Sequence, residues 1–337
     1  MRSKQDAVAD ARKKGRKAAI FGRTRRSRRA DAVIVLHGAH CITDGAGAGV
    51  CPRIRSGILV GNPMSRRSLP LFRAIRIAAL AFVVALVTGT GVSRAESVYS
   101  FATAPGRLPK NVVPTHYAID LKPDLATLAV PGSEVVEIKV LDATDRLVLN
   151  AVDMVLQSAS LEGEAGQVAT ITSQPKAQTV TLAFPHALAV GPHKLRIAFT
   201  GRINSFGRGL FVVDYPAGHG RKRMIATELE PADARRVFPC WDEPAFKASF
   251  EPSVTVPRDF LALSNMPIAH EEPVGGASKR ISFAATPKMS SYLFVLVAGD
   301  LERLTGEANG VTVGVVTVAG KREQGRFALT SAVSQFR

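Results

Sequence analysis

The chain has 337 residues, with 44 Lys and Arg against 28 Asp and Glu, which gives a net charge of +16. Such a charge would suggest binding to nucleic acid or to an anionic membrane, but residues 1–95 carry 19 basic and 4 acidic residues, whereas residues 96–337 carry 25 and 24. The part of the chain with the pattern of a folded domain is therefore close to neutral, and no nucleic-acid partner is expected.

Residues 1–63 form a basic low-complexity segment, rich in Arg, Ala and Gly, without a sustained period of 2 or 3.6 residues. The segment after it has the layout of a protein N-terminus. We therefore expect that translation starts at Met64 and that residues 1–63 lie upstream of the true start codon. A genuine basic disordered tail is the alternative.

Residues 64–95 have the layout of a secretory signal peptide. Arginines within 66–76 precede an unbroken apolar run at 77–87, and small residues stand at Ser93 and Ala95, before the expected cleavage point. The apolar run is short of the ~20 residues that a membrane-spanning helix needs. We expect export to the periplasm or the extracellular space, with membrane contact only if this segment stays uncleaved.

The three cysteines predict no internal disulfide in the exported part. Cys41 and Cys51 precede the predicted signal peptide, which leaves Cys240 alone after it. A lone cysteine is more often a small buried apolar residue than a nucleophile, and no His stands near it in sequence. We predict that Cys240 is buried and inert.

After a linker at 96–104, residues 105–320 alternate between apolar and polar positions in short runs separated by turn residues. This pattern predicts an all-β, saddle-like antiparallel β-sandwich with one short helix, preceded by the disordered and signal segments. In each of three runs, alternate apolar residues share one face of the predicted strand, which we expect to point inward. These residues are Tyr117, Ile119 and Leu121; Val136, Ile138 and Val140; and Leu195, Ile197 and Phe199.

One helical signal interrupts the strands. Pro231 suits the first position of a helix, Asp233 follows early, two arginines at 235–236 come late, and Pro239 ends the run. These features predict a helix of one or two turns that begins directly after Glu230.

Glu228 and Glu230 then lie where a strand ends and this helix begins. We expect the carboxylate of Glu230 to stay ionised there and to be able to hold a cation. A solvated strand-end acid is the alternative for Glu228, and a helix-capping acid is the alternative for Glu230.

The residues that follow favour a structural role. Phe238 and Trp241 are predicted apolar anchors. Asp242 and Glu243 are adjacent, and adjacent side chains tend to diverge, so we interpret them as parts of a turn and not as a pair of catalytic carboxylates.

The stretch "MIATELEPADARRVFPCWDEPAFKASFEPSVTVPRDFLALSNMP", residues 224–267, resembles the N-terminal domain of the gluzincin-type zinc aminopeptidases, the membrane alanyl aminopeptidase (aminopeptidase N) family. The resemblance extends loosely to "LPKNVVPTHYAIDLKPD" upstream and "MSSYLFVLVAGDLE" downstream, and it covers roughly 105–337. It implies a saddle-shaped β-domain packed on a thermolysin-like catalytic domain, with zinc as the cofactor of the complete enzyme.

The resemblance also implies roles for the two carboxylates. The acid at the Glu230 position binds the free α-ammonium of the substrate, a charge that an internal amide lacks. The residue at the Glu228 position, usually Gln in the family, helps to line the pocket for the first side chain. A second carboxylate there would favour basic side chains, or raise the pKa of one acid of the pair.

The sequence contains neither the H-E-x-x-H of the zinc site nor the family's G-x-M-E-N segment. We therefore expect no catalytic residue and no metal ligand in this chain; residues 321–337 would begin the connection to a missing catalytic domain. One hypothesis is an exported aminopeptidase fragment, inactive alone. The other is a non-catalytic β-sandwich module that binds peptide N-termini beside a separately encoded catalytic chain. An H-E-x-x-H encoded downstream of codon 337 would favour the first hypothesis.

Overall fold

The computed structural model describes the backbone of residues 32–35 and the whole of residues 99–335. The expectations for the signal peptide at 64–95, for Cys41 and Cys51, and for the rest of the basic segment at 1–63 lie outside the described residues. No helix within the described residues is long and apolar enough to cross a membrane.

The described residues form seventeen strands, most of them joined by short turns. The strands are β1 (Ala32–Val35), β2 (Val112–Leu121), β3 (Ala129–Val140), β4 (Thr144–Asn150), β5 (Val155–Leu161), β6 (Thr170–Gln174), β7 (Thr179–Leu188), β8 (Gly191–Arg202), β9 (Gly209–Ala217), β10 (Gly220–Glu228), β11 (Ser249–Pro257), β12 (Leu261–Ser264), β13 (Ile268–Pro273), β14 (Ser278–Phe283), β15 (Leu296–Gly299), β16 (Leu301–Ala308) and β17 (Val311–Val318).

These strands make four sheets. The largest has the order β13-β14-β11-β2-β3-β8-β5, and the others are β4-β7-β6, β12-β15-β10-β9 and β1-β17-β16. Pairing is antiparallel except between β11 and β2 and between β1 and β17, which are parallel. The all-β, mainly antiparallel architecture predicted from the alternating pattern is confirmed.

The core lies on the inward faces of these strands. All nine residues predicted to share inward faces are buried. The ring of Tyr117 stacks on Phe250 with centroids 5.0 Å apart, and Phe238 meets Phe294 edge-on at 5.3 Å. Phe238 and Trp241 are buried as predicted, so the stretch after Glu230 is anchored in the same core as β2 and β11.

Helical structure is sparse among residues 99–335. There, one α-helix, α1 (Arg326–Gln335), follows β17, and single 3-10 turns occur at Ala234–Arg236, Ser291–Leu293 and Arg322–Gly325. The helix predicted to begin directly after Glu230 is wrong in its start and in its type. Residues 230–233 form a turn that includes a cis Glu230–Pro231 bond, and only the three residues from Ala234 are helical.

The side chains of this region explain why the helix stays short. Arg235 pairs with Asp242, and Arg236 pairs with both Asp233 and Asp153. Asp242 and Asp153 lie outside the predicted helix, so these two tertiary ion pairs compete with the local signal that Pro231 and the two arginines provide.

Candidate functional site

Two exposed carboxylates, Glu228 and Glu230, flank a buried residue at the end of β10. Leu229 between them is only 2% exposed. Since β10 ends at Glu228, opposite Gly209 of β9, Glu228 lies at the end of the strand pair, and Glu230 lies on the turn that follows. The structure thus keeps both predicted site residues at the surface and brings them to one place, two positions apart.

The turn that carries Glu230 is fixed by Asp233. The backbone N–H of Asp233 donates to the carbonyl oxygen of Leu229 at 2.9 Å. The buried Asp233 carboxylate accepts from Arg208 Nε at 2.8 Å and Nη2 at 3.2 Å, and from Arg236 Nε at 2.8 Å. We call this arrangement the Asp233 clamp. The sequence placed Asp233 in a short helix and did not identify its partner Arg208.

Gly209, where β9 begins, is required by this geometry. Its φ of +65° lies in the left-handed region, and a Cβ there would stand 2.7 Å from Cβ of Arg236. A side chain at this position would therefore push against the Asp233 clamp beside Glu228.

Asp242 and Glu243 point to different partners, as adjacent residues were expected to do. Asp242 is buried and accepts from Arg235 Nε at 2.8 Å and from Ser291 Oγ at 2.6 Å. Glu243 Oε1 accepts from the backbone N–H groups of Arg107 and Leu108 at 2.6 and 3.0 Å. Both acids hold the fold together and do not form a shared acidic site.

Cys240 is fully buried, as predicted. Burial, and next the nearby carboxylates of Asp242 and Glu134, raise the pKa of its thiol well above the ordinary value, against a smaller opposing effect of Arg235. The thiolate that nucleophilic chemistry needs is therefore disfavoured.

The buried acid Glu134 was missed by the sequence analysis. It lies on β3, is 1% exposed, and neither carboxylate oxygen has a hydrogen-bond partner within the described residues. Burial raises the pKa of this carboxyl well above its ordinary value. One signal was available: Glu134 precedes Val136 and Ile138 on the same alternation, so an acid occupied an inward position.

Residues 99–335 contain no group of three or more His, Cys, Asp or Glu side chains arranged to hold a metal ion. Individual histidines have local partners: His193 Nδ1 lies 2.6 Å from Glu164, and His116 Nδ1 lies 2.8 Å from Ser249 Oγ. None of these side chains is assigned as a zinc ligand.

The sequence model of the Peptidase M1 N-terminal domain matches residues 113–293, a range that contains both Glu228 and Glu230.

Three curated relatives illustrate the similarity. Aminopeptidase N of Acetobacter pasteurianus is 45% identical over 236 residues, which cover 70% of this chain and 66% of that protein. Aminopeptidase M1-B of Oryza sativa subsp. japonica is 38% identical over 228 residues, 67% of this chain and 26% of the relative. Puromycin-sensitive aminopeptidase of Caenorhabditis elegans is 35% identical over 233 residues, 67% and 25% respectively. The chain thus spans about two thirds of the bacterial relative and about a quarter of the other two.

Proposed function

Because this chain belongs to the M1 peptidase family, whose N-terminal domain it contains, we propose that it is the substrate-anchoring part of an exported zinc aminopeptidase. Such an enzyme removes amino acids from the N-termini of peptides. One observation carries the proposal within the family: two exposed carboxylates lie close in sequence, Glu228 at the end of β10 and Glu230 on the turn that the Asp233 clamp fixes.

Glu230 receives the α-ammonium of the peptide. A chain end carries this positive charge and an internal amide does not, so a fixed carboxylate selects ends through a charge-assisted hydrogen bond. The fixed turn also sets the distance between the bound terminus and the peptide bond to be cut. It thereby contributes to catalysis by positioning the substrate.

Glu228 faces the first side chain of the bound peptide. A carboxylate at this position attracts Lys and Arg side chains more than a neutral amide would, and it adds to the negative potential around Glu230. The substrates proposed here are therefore peptides with a free N-terminus, with a preference for a basic first residue.

The zinc ligands and the groups that cleave the peptide bond belong to the remainder of the aminopeptidase, either downstream or in a separate chain. In such enzymes, zinc acts as a Lewis acid and activates a water molecule. The part proposed for this chain is to bind and orient the terminus, and we expect the chain alone to be inactive on aminoacyl-anilides with added zinc.

The experiment measures, by NMR titration at low salt, the affinity of the full chain for a tripeptide that begins with Lys. The peptide with a free N-terminus is compared with the same peptide after N-acetylation. The free peptide should bind more tightly than the acetylated one. Glu230→Gln should reduce this preference by about 1.4- to 5-fold, because an exposed ion pair contributes only ~0.2–1 kcal/mol. Glu307→Gln is the matched control, since it removes an exposed carboxylate on β16 and should leave the preference unchanged.

Equal affinity for the free and acetylated peptides would contradict the anchoring role. An equal loss in the two variants would show that net charge, and not the position of Glu230, determines binding.

A further inference from the structure

His193 lies at the rim of the core, near the start of β8. It continues the inward face of that strand, on which Leu195, Ile197 and Phe199 are buried. Its side chain is only 11% exposed. A titratable group in such a position depends on its few neighbours more than on bulk water, so its contacts decide its charge.

Both ring nitrogens of His193 face oxygen atoms. Nδ1 lies 2.6 Å from Oε1 of Glu164, and Nε2 lies 2.8 Å from the carbonyl oxygen of Ala189. An ionised carboxylate and a carbonyl oxygen only accept hydrogen bonds, and only the protonated imidazole has an N–H on both nitrogens. The arrangement therefore fits the imidazolium form of His193. In the neutral form, one nitrogen would direct a lone pair at an oxygen.

The two partners of His193 lie on connections between two sheets. Glu164 is on the loop between β5 and β6, and Ala189 is on the turn between β7 and β8. The strands β5 and β8 belong to the seven-stranded sheet, whereas β6 and β7 belong to the sheet β4-β7-β6. One imidazole thus contacts both segments in which the chain passes from one of these sheets to the other.

The charged residues around His193 leave Glu164 as its ionic partner. Glu162 of the same loop pairs with Arg196, and Lys194 pairs with Glu137 of β3. The other titratable residues on the adjoining parts of β3 and β7 are Lys139 and His186.

These contacts favour the charged form of His193. Burial lowers the pKa of His193, but the hydrogen bonds to Ala189 and Glu164, together with the charge of Glu164, outweigh burial. The pKa of His193 is therefore raised above its ordinary value.

We propose that His193, Glu164 and Ala189 form a pH-sensitive latch. The protonated imidazole holds the β5–β6 loop against the β7–β8 turn, and loss of the proton releases the loop at Glu164. The loop is released and not the turn, because the side chain of Glu164 is 36% exposed and can turn towards water, whereas Ala189 binds through its backbone.

Release is confined to the middle of the loop. The backbone N–H of Glu162 donates to the carbonyl oxygen of Lys194 at 2.8 Å, and Nε2 of Gln167 donates to the carbonyl oxygen of His186 at 3.1 Å. Neither bond involves a group that titrates. Both ends of the loop therefore stay in place, and residues 163–166 are the part that gains mobility.

The latch is closed in acid and opens in alkali. A group whose pKa is raised by folding contributes its full stabilisation below its ordinary pKa, ~6.5 for histidine, and loses it as the pH rises through the folded pKa. In the exported protein proposed above, the pH of the surroundings thus sets the state of this loop.

The first test follows the proton and the loop separately in the full chain by NMR. Titration of the ring protons between about pH 5 and pH 9 gives the pKa of His193, and 15N relaxation gives the backbone order of residues 163–166. We expect order parameters near ~0.85 on the acid side of the His193 titration and below ~0.6 on the alkaline side. Loop order that stays the same across this titration would overturn the proposal.

The second test changes the partner of His193. Glu164→Gln should lower the pKa of His193 and move release of the loop to lower pH by the same interval. Glu162→Gln is the matched control, since it removes a charge from the same loop and should change neither quantity. Both side chains are about one third exposed, at 36% and 31%, so neither substitution disturbs the core.

His193→Gln gives a latch that cannot titrate, and its loop order should not depend on pH. Equal shifts of the His193 pKa in the two glutamate variants, or pH-dependent loop order in His193→Gln, would show that Glu164 and His193 do not control the loop.

Discussion

Three glutamates of this domain differ sharply in their surroundings. Glu228 and Glu230 are exposed at the end of β10, while Glu134 is buried on β3 without a hydrogen-bond partner in the described residues. The exposed pair remains available to a cation from outside. The buried acid is disfavoured in its charged form, because an isolated carboxylate loses its hydration on burial.

Glu134→Gln should change the pH dependence of stability. Since folding raises the pKa of Glu134, the wild-type carboxyl is neutral in both states below the unfolded pKa of ~4.3, and there the two proteins should be about equally stable. As pH rises above that value, the wild type should lose up to about 1.4 kcal/mol per pH unit relative to the variant, until the folded pKa is passed.

Urea unfolding of both proteins at several values between pH 4 and pH 9 measures this difference. Glu307→Gln, at an exposed position, controls for the loss of one negative charge. A stability difference that is constant across the pH range would contradict the assignment of Glu134 as a neutral acid.

At the scale of elements, the end of β10 depends on the start of β9. Gly209 pairs with Glu228, and the neighbouring Arg208 is one of the two arginines that bind Asp233 in the clamp. The site therefore belongs to two connected elements, and a change on β9 should reach the carboxylates through the clamp.

Gly209→Ala should destabilise the domain by about 1–3 kcal/mol, because the left-handed backbone and the approach of Arg236 both oppose a Cβ. The matched control is Gly207→Ala in the same loop, where nothing lies within 4 Å of the added carbon and the cost should be below about 0.5 kcal/mol. Chemical denaturation of the two variants gives the comparison. Similar losses in both would mean that the loop as a whole, and not Gly209, sets the geometry.

The strands of this domain were predictable from sequence, and the turn at Glu230 was not. Tyr117, Ile119 and Leu121 show why the strands were: alternation depends only on which face is buried. The turn depends on Arg208, which lies 25 positions from Asp233 in sequence. No local pattern identifies such a partner, so the sequence could not predict the turn. The sequence placed Glu228 and Glu230 where a strand ends, and both are exposed at the end of β10.

At the scale of the whole molecule, substitutions of Glu228 and Glu230 should have different effects on the activity of an aminopeptidase assembled from this chain and the remainder of the protein. Glu230→Gln should lower kcat/KM roughly 10- to 150-fold, since a hydrogen bond to a charged group in a partly desolvated site contributes about 1.5–3 kcal/mol. Glu228→Gln should shift the preference away from Lys and Arg, with little loss on substrates that begin with Ala or Leu.

Kinetics on a series of aminoacyl-anilides, Lys and Arg against Ala and Leu, distinguishes these effects. If Glu228→Gln abolished activity and Glu230→Gln left it unchanged, the proposed roles of the two acids would be reversed.

The parallel pairing of β2 with β11 decides when this domain is able to fold. His116 and its partner Ser249 are 133 positions apart in sequence, yet β2 lies between β3 and β11 in the middle of the largest sheet. During synthesis, more than half of the domain must therefore be made after β2 before its second neighbour, β11, is present. Strand pairings between residues so distant in sequence form slowly. A ribosome that stops before Ser249 releases a chain whose β2 edge is unpaired, which invites aggregation. Shortening the gene from its 3′ end should accordingly give soluble protein only while β11 is retained.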